Sequence, residues 1–149
     1  MKKITIAVSA LLGMVAFSAQ ADVASAQKLA DKYAGIAKTI NPSFTGPSAE
    51  EGKVFFNREI GVKGKKVSCS SCHTTSPADN GKDVVTHKLI RPLSPVTNPK
   101  RFSDLDKVEE KFVQHCNDIT GSDCTAQDKA NFIAYLITVK EKTPKATSK

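Results

Sequence analysis

The chain has 149 residues, a formal net charge of +7, 25% charged and 40% hydrophobic residues, four cysteines, three histidines and two methionines. That length suits one domain and excludes a multidomain assembly, and the composition excludes global disorder.

The first element is a leader. Lys2 and Lys3 form a positive start, Ile4 to Phe17 is an apolar run, and Ala19-Gln20-Ala21 has the small-residue pattern of a cleavage site. This is the three-part pattern of a secretory signal peptide, residues 1–21, with Asp22 as the expected mature N-terminus. The apolar run is shorter than the roughly 20 residues a membrane-spanning helix needs. We therefore expect export to the periplasm, no stable membrane anchor, and a domain over residues 22–149. Removing the leader lowers the net charge to +5 and removes Met1 and Met14, so the mature chain has no methionine.

A helical stripe follows at Ala26, Leu29, Tyr33 and Ile36. Asn41-Pro42 and Gly46-Pro47 mark a linker, and Ser48-Ala49-Glu50-Glu51 reads as a capping box opening a helix that presents Phe55 and Phe56. Gly61 and Gly64 bracket a basic stretch, Lys63 to Lys66, expected to be a loop or small hairpin. Residues 74–102 contain Pro77, Pro92, Pro95 and Pro99 and no helical period. A connection this long is normally functional, and Val84, Val85, Leu89, Ile90 and Leu93 are suited to pack on a prosthetic group. Ser103 to Asp106 reads as a cap, and the helix after it aligns Leu105, Val108, Phe112 and His115 on one face. Thr125 to Asp128 caps a last helix that buries Ala130, Ile133, Leu136 and Ile137 and ends before Pro144. Residues 144–149 read as a disordered tail.

The most specific motif is Cys69-Ser70-Ser71-Cys72-His73. C-x-x-C-H is the attachment pattern of c-type haem: one helical turn brings both sulfurs to one porphyrin edge, and the adjacent imidazole ligates the iron. A thioredoxin-like C-x-x-C would need a βαβ context, which a helical chain lacks. A zinc site drawing on all four cysteines would have a poor second half, with seven residues between Cys116 and Cys124. With Cys69 and Cys72 in thioethers, Cys116 and Cys124 are the natural disulfide pair in an oxidising compartment, and closing that short loop contributes roughly 2–3 kcal/mol.

Without methionine, the second axial position falls to His115, His87, a lysine, Asn117 or an open site. His115 is favoured because it shares a face with Val108 and Phe112, whereas His87 lies beside Lys88 in a polar loop. Lys88, Arg91 and Arg101 are candidate neighbours of the haem propionates. Lys63, Lys65 and Lys66 would suit an acidic redox partner, although a plain solvated loop explains them more simply. The positive charge does not indicate nucleic acid, since export and the lack of interleaved aromatic and basic residues argue against it.

Gly52-Lys53-Val54-Phe55-Phe56-Asn57-Arg58, Cys69 to His73, Pro92-Leu93-Ser94-Pro95, Lys100-Arg101-Phe102, His115 to Ile119 and Ala130 to Leu136 together resemble the cytochrome c double-prime family of bis-histidine periplasmic cytochromes. The related sphaeroides haem protein type has asparagine where this chain has His115. The resemblance implies an all-α cytochrome c-like domain around one covalent haem c, with a small β element near residues 59–68. It implies His73 as permanent ligand and His115 as a ligand bound in the ferric protein and released on reduction, with the Cys116–Cys124 disulfide accompanying the switch. The freed imidazole, basic near pH 6.5, would take up a proton. The expected role is one-electron transfer and not enzymatic turnover. The alternatives are binding of a diatomic gas (O2, NO or CO) at the ferrous iron, or an enzyme acting on such ligands.

Overall fold

In the computed structural model, residues 12–62 and 64–140 are described, with the side chains of 12–19 and 21 left aside. Most of the leader's start, Lys63, and the tail expected at 144–149 lie outside the described residues.

Helix α1 spans Leu12–Ile40 and runs without a break through the expected cleavage site. Ala19, Gln20 and Ala21 are good helix formers, and no proline interrupts them. Its buried stripe is Ala26, Leu29, Ala30, Tyr33 and Ala37. Ile36 departs from expectation at 43% exposed. A 3.6-residue period carries the stripe from Tyr33 to Ala37, one position further round the helix. Small residues at 26, 30 and 37 let α1 lie close along α5 (Ala126–Thr138).

Helix α2, Ala49–Asn57, crosses α5 on another side. A Cβ on Gly52 would collide with the Asn131 backbone carbonyl, so only glycine permits this approach. Ser48 Oγ accepts from the Glu51 N–H at 3.2 Å, but the Ser48 N–H donates to Asn131 Oδ1 at 2.9 Å. The expected capping box is thus half formed, because a buried amide on α5 takes the role foreseen for Glu51. Phe56 stacks on Phe132 at 5.8 Å and is flanked by Tyr135, which places the aromatic core between α2 and α5.

The hairpin expected near residues 59–68 is formed by β1 (Ile60–Val62) and β2 (Lys65–Val67), with Ile60 opposite Val67. The short helix α3, Cys69–His73, follows directly. The proline-bearing stretch is more ordered than its sequence suggests. It contains a second hairpin, β3 (Gly81–Lys82) and β4 (Leu89–Ile90), turned by Asp83, whose carboxylate accepts from the Val85 and Thr86 N–H groups at 2.9 and 2.6 Å. The Pro77 carbonyl accepts from the Leu93 and Ser94 N–H groups, and buried Ser94 donates to the Val139 carbonyl at 2.6 Å.

Helix α4, Leu105–Thr120, is capped by Asp104 and not by Ser103: the Asp104 carboxylate accepts from the Lys107 N–H at 3.2 Å. A charged acceptor one residue nearer the helix wins the position, and Ser103 Oγ instead donates to the Lys100 carbonyl. Gly121, at φ +77°, ends the helix in the left-handed region. Thr125 caps α5 as the T-x-x-D pattern indicates, accepting from the Asp128 N–H at 3.0 Å. Ile137 is only half-buried, while Ala130, Ile133 and Leu136 are buried. The architecture is mostly helical, with two small antiparallel hairpins.

Candidate functional site

Between α3, the first hairpin, α4 and α5 lies a cavity of about 500 Å³, within the size range of sites for organic cofactors. Cys69, Cys72, His73, His115, Cys116 and Cys124 all line it. Residues more than forty positions apart in sequence are therefore brought to one chamber. Phe55, Phe112, Phe132, Leu93 and Leu136 make its walls apolar. Val84 and Val85, 60% and 81% exposed, stand at its edge together with Ile90, while Leu89 faces a separate, more open groove of about 610 Å³.

Helix α3 follows from its own serines. The Ser68 N–H donates to Ser71 Oγ at 3.0 Å and the Ser71 N–H to the Ser68 carbonyl at 3.1 Å, so the turn carrying both cysteines is closed locally. Thr74 ends it at φ 59°, an uncommon conformation for a β-branched residue and a local strain next to His73. β3 presses on this turn: a Cβ on Gly81 would collide with the Cys72 carbonyl and crowd the His73 Cα. Burial pushes the Cys69 thiol up.

His73 and His115 face each other with ring centroids 6.5 Å apart and planes tilted by 45°. A metal bound to one nitrogen of each ring at about 2.0–2.1 Å places the centroids roughly 6–6.5 Å apart, so the spacing fits one iron between them. Burial, then the charges of Arg101 and His115, hold the His73 imidazole down to about 4. Burial also lowers His115, aided by Lys111 and Arg101 and opposed by Asp118. In both rings burial and nearby positive charge disfavour the protonated form, and the neutral form is the one that ligates a metal.

His87 lies at the tip of the second hairpin at φ 58°, does not line the cavity, and is exposed. Asn117 is also outside it, its amide donating to the Val113 carbonyl at 2.7 Å. Among the described residues, Lys111 is the lysine on the cavity wall. Of the candidate propionate neighbours, Arg101 lines the cavity, Arg91 lines the separate groove and Lys88 lines neither. Burial lowers the Arg101 guanidinium and Asp22 opposes that effect. Asp22, 3% exposed, uses its carboxylate to accept the Phe102 N–H at 2.9 and 3.0 Å, a tie from α1 to the cavity wall that no sequence signal announced.

Cys116 and Cys124 are joined to each other, with Cα atoms 5.5 Å apart, so a zinc site drawing on all four cysteines is not formed. Among the described residues no group of three or more histidines, cysteines or acidic residues is arranged to hold a metal ion. The C-x-x-C turn sits between a hairpin and a long connection, not in a βαβ unit.

A family model described as a domain of unknown function (DUF1924) matches residues 42–136. Cytochrome c'' of Methylophilus methylotrophus is 54% identical over 127 residues, covering 83% of this chain and 88% of that protein. The cytochrome c-type protein SHP of Cereibacter sphaeroides is 37% identical over 89 residues, 59% of this chain and 68% of that one. The crystal structure of oxidised cytochrome c'' from Methylophilus methylotrophus superposes with a TM-score of 0.79 at 53% identity, covering 82% of this chain and all of that one. The structure of oxidised SHP, described as an oxygen-binding cytochrome c, superposes with a TM-score of 0.65 at 32% identity, covering 74% of this chain and 94% of that one.

With the C-x-x-C-H turn opening on the cavity, these likenesses define a c-type haem protein whose cofactor is covalently bound haem c. Its sequence and its fold agree on the branch: the chain belongs to the cytochrome c'' family.

Proposed function

We propose that this protein carries single electrons in the periplasm, with His73 and His115 as axial ligands of the oxidised iron and His115 released and protonated on reduction. The observation that carries this reading is the 6.5 Å opposition of the two imidazoles across a cavity that also receives both C-x-x-C sulfurs. The haem supplies one-electron chemistry at its iron. Cys69 and Cys72 would hold it through thioethers, and His73 would be its permanent ligand. His115 would offer its neutral nitrogen as the second ligand, held more strongly by the oxidised group because of its greater positive charge. Once detached and turned toward solvent, away from the burial and the positive charges of Lys111 and Arg101 that lower it, it would become more basic and take a proton at the freed nitrogen. Arg101 offers a fixed positive charge on the cavity wall for a propionate.

His115→Ala in the haem-loaded protein is the test. The oxidised spectrum is expected to change from six-coordinate low-spin to high-spin, and an unchanged low-spin spectrum would sink the assignment.

A second reading, binding of a diatomic gas at the reduced iron, is favoured by the likeness to SHP, itself described as oxygen-binding. Titrating the ferrous protein with CO, NO and O2 separates binding from transfer alone, and turnover assays with candidate oxidants would reveal an enzyme. Export rests on the leader at residues 1–21; N-terminal sequencing of periplasmic protein is expected to begin at Asp22. No described helix is long and apolar enough to cross a membrane. Exposed Lys65 and Lys66 on β2, beside cavity-lining Val67, suit an acidic redox partner, although Lys66 already lies 3.4 Å from Glu59.

A further inference from the structure

Lys129 is only 5% exposed, in the first turn of α5, where a buried charged side chain must find compensation. Its Nζ lies 2.7 Å from Asp123 Oδ2. The same ammonium stands 5.3 Å from the centroid of the Tyr33 ring and 5.9 Å from that of Phe112, within cation–π range of both. These partners share one geometry. Phe112 lies on α4 one turn before His115, on the same face. Asp123 directly precedes Cys124, whose disulfide partner Cys116 directly follows His115. One cation on α5 thus grips the His115 end of α4 from two sides, at a ring before the histidine and at a carboxylate beyond the disulfide.

The rest of the attachment belongs to the same network. Glu109 on α4 accepts from Lys32 Nζ at 2.5 Å and from the Tyr33 hydroxyl at 3.1 Å, and Tyr33 packs edge-on against Phe112 at 6.1 Å. Side-chain links tie α4 to α1 and α5, and Lys129 is their buried centre.

We infer that Lys129, through Asp123 and Phe112, is the positioning residue that holds His115 against the iron in the oxidised protein and so sets how readily that ligand is released. This rests on the bis-histidine reading given above. Lys129 touches no reacting atom; it acts by limiting the travel of the helix end and disulfide loop that carry the imidazole. Loosening that hold weakens ligation most in the ferric state, where His115 is bound, and so favours the reduced form.

The experiment compares haem-loaded wild type with Lys129→Met, Asp123→Asn, His115→Ala and Leu29→Ala. It reads the oxidised spin state, the midpoint potential and the melting temperature. Lys129→Met keeps the bulk of the side chain and removes the charge. It is expected to weaken His115 ligation about tenfold, seen as a larger high-spin fraction and a potential about 59 mV higher for one electron. Asp123→Asn, which alters only the more exposed partner, is expected to shift both in the same direction by less, and it carries the test if Lys129→Met does not accumulate. Leu29→Ala, in the α1 core away from the cavity, is expected to lower the melting temperature while leaving spin state and potential unchanged. Wild-type spin state and potential in both Lys129→Met and Asp123→Asn, beside a high-spin His115→Ala, would overturn the role of Lys129 and leave the bis-histidine reading standing. A low-spin His115→Ala would overturn both.

Discussion

His73 sits on a five-residue helix gripped by backbone: Ser68 and Ser71 close the turn, Thr74 locks its exit, and Gly81 lies against the Cys72 and His73 main chain. His115 sits on a 16-residue helix with an exposed outer face, tied to the body by an aromatic cluster, two ion pairs and a disulfide within its own loop. A ligand held by close backbone contact has little freedom to leave. One held through side-chain links can move when a few weak interactions give way. The asymmetry is the one that the proposed roles, His73 permanent and His115 exchangeable, require.

Four changes would break or sharpen this contrast. Gly81→Ala should have the largest effect, because the added carbon meets backbone that cannot move aside. A loss of about 3 kcal/mol is expected in denaturant unfolding of the haem-loaded protein. Replacing Cys116 and Cys124 by serine should cost about 2.5 kcal/mol from loop closure. Hydrogen exchange should then quicken at the end of α4 and leave α3 unchanged. Equal quickening on both sides would refute the contrast. Thr125→Ala, which removes the cap of α5, should lower stability by about 1 kcal/mol without altering the spectrum. The smallest effect is expected from acid. Lys32 holds the Glu109 carboxyl below its ordinary range, so this tie is complete above the usual glutamate value and is lost as pH falls through the depressed folded one. Exchange in α4 should accelerate there before exchange in α3 does.

Much of this was legible in the chain. Helix spacing marked four helices, and the glycines at 61 and 64 left a loop or a small hairpin open, of which the family resemblance pointed to the β element. C-x-x-C-H with no mature methionine narrowed the axial ligands to a few residues. Other features had no usable signal. Lys129 reads as an ordinary surface lysine, because its burial depends on rings from α1 and α4 that only tertiary packing brings together. Asp22 looks like a new N-terminus, yet its carboxylate accepts an amide 80 residues away. The second hairpin was missed because its strands are only two residues each and its turn, closed by Asp83, holds no Asn-Gly or Asp-Gly pair. The shift from Ile36 to Ala37 is a matter of helical phase, which a few apolar residues define only loosely.

The placement of the four cysteines also governs how the chain sorts its thiols. Cys116 and Cys124 are 8 residues apart, whereas either lies at least 44 from Cys69 or Cys72. Loop-closure entropy therefore favours the correct disulfide over a crossed one by about 1.5 kcal/mol. The remaining competitor is a bond between Cys69 and Cys72 themselves, which would consume the thiols needed for the haem. Once the turn is folded, burial raises Cys69 and keeps it protonated, a poorer nucleophile toward oxidants. Spacing along the chain thus guards against crossed bonds, whereas the three-residue separation of Cys69 and Cys72 leaves their own pairing to be prevented by the fold or by a reductant.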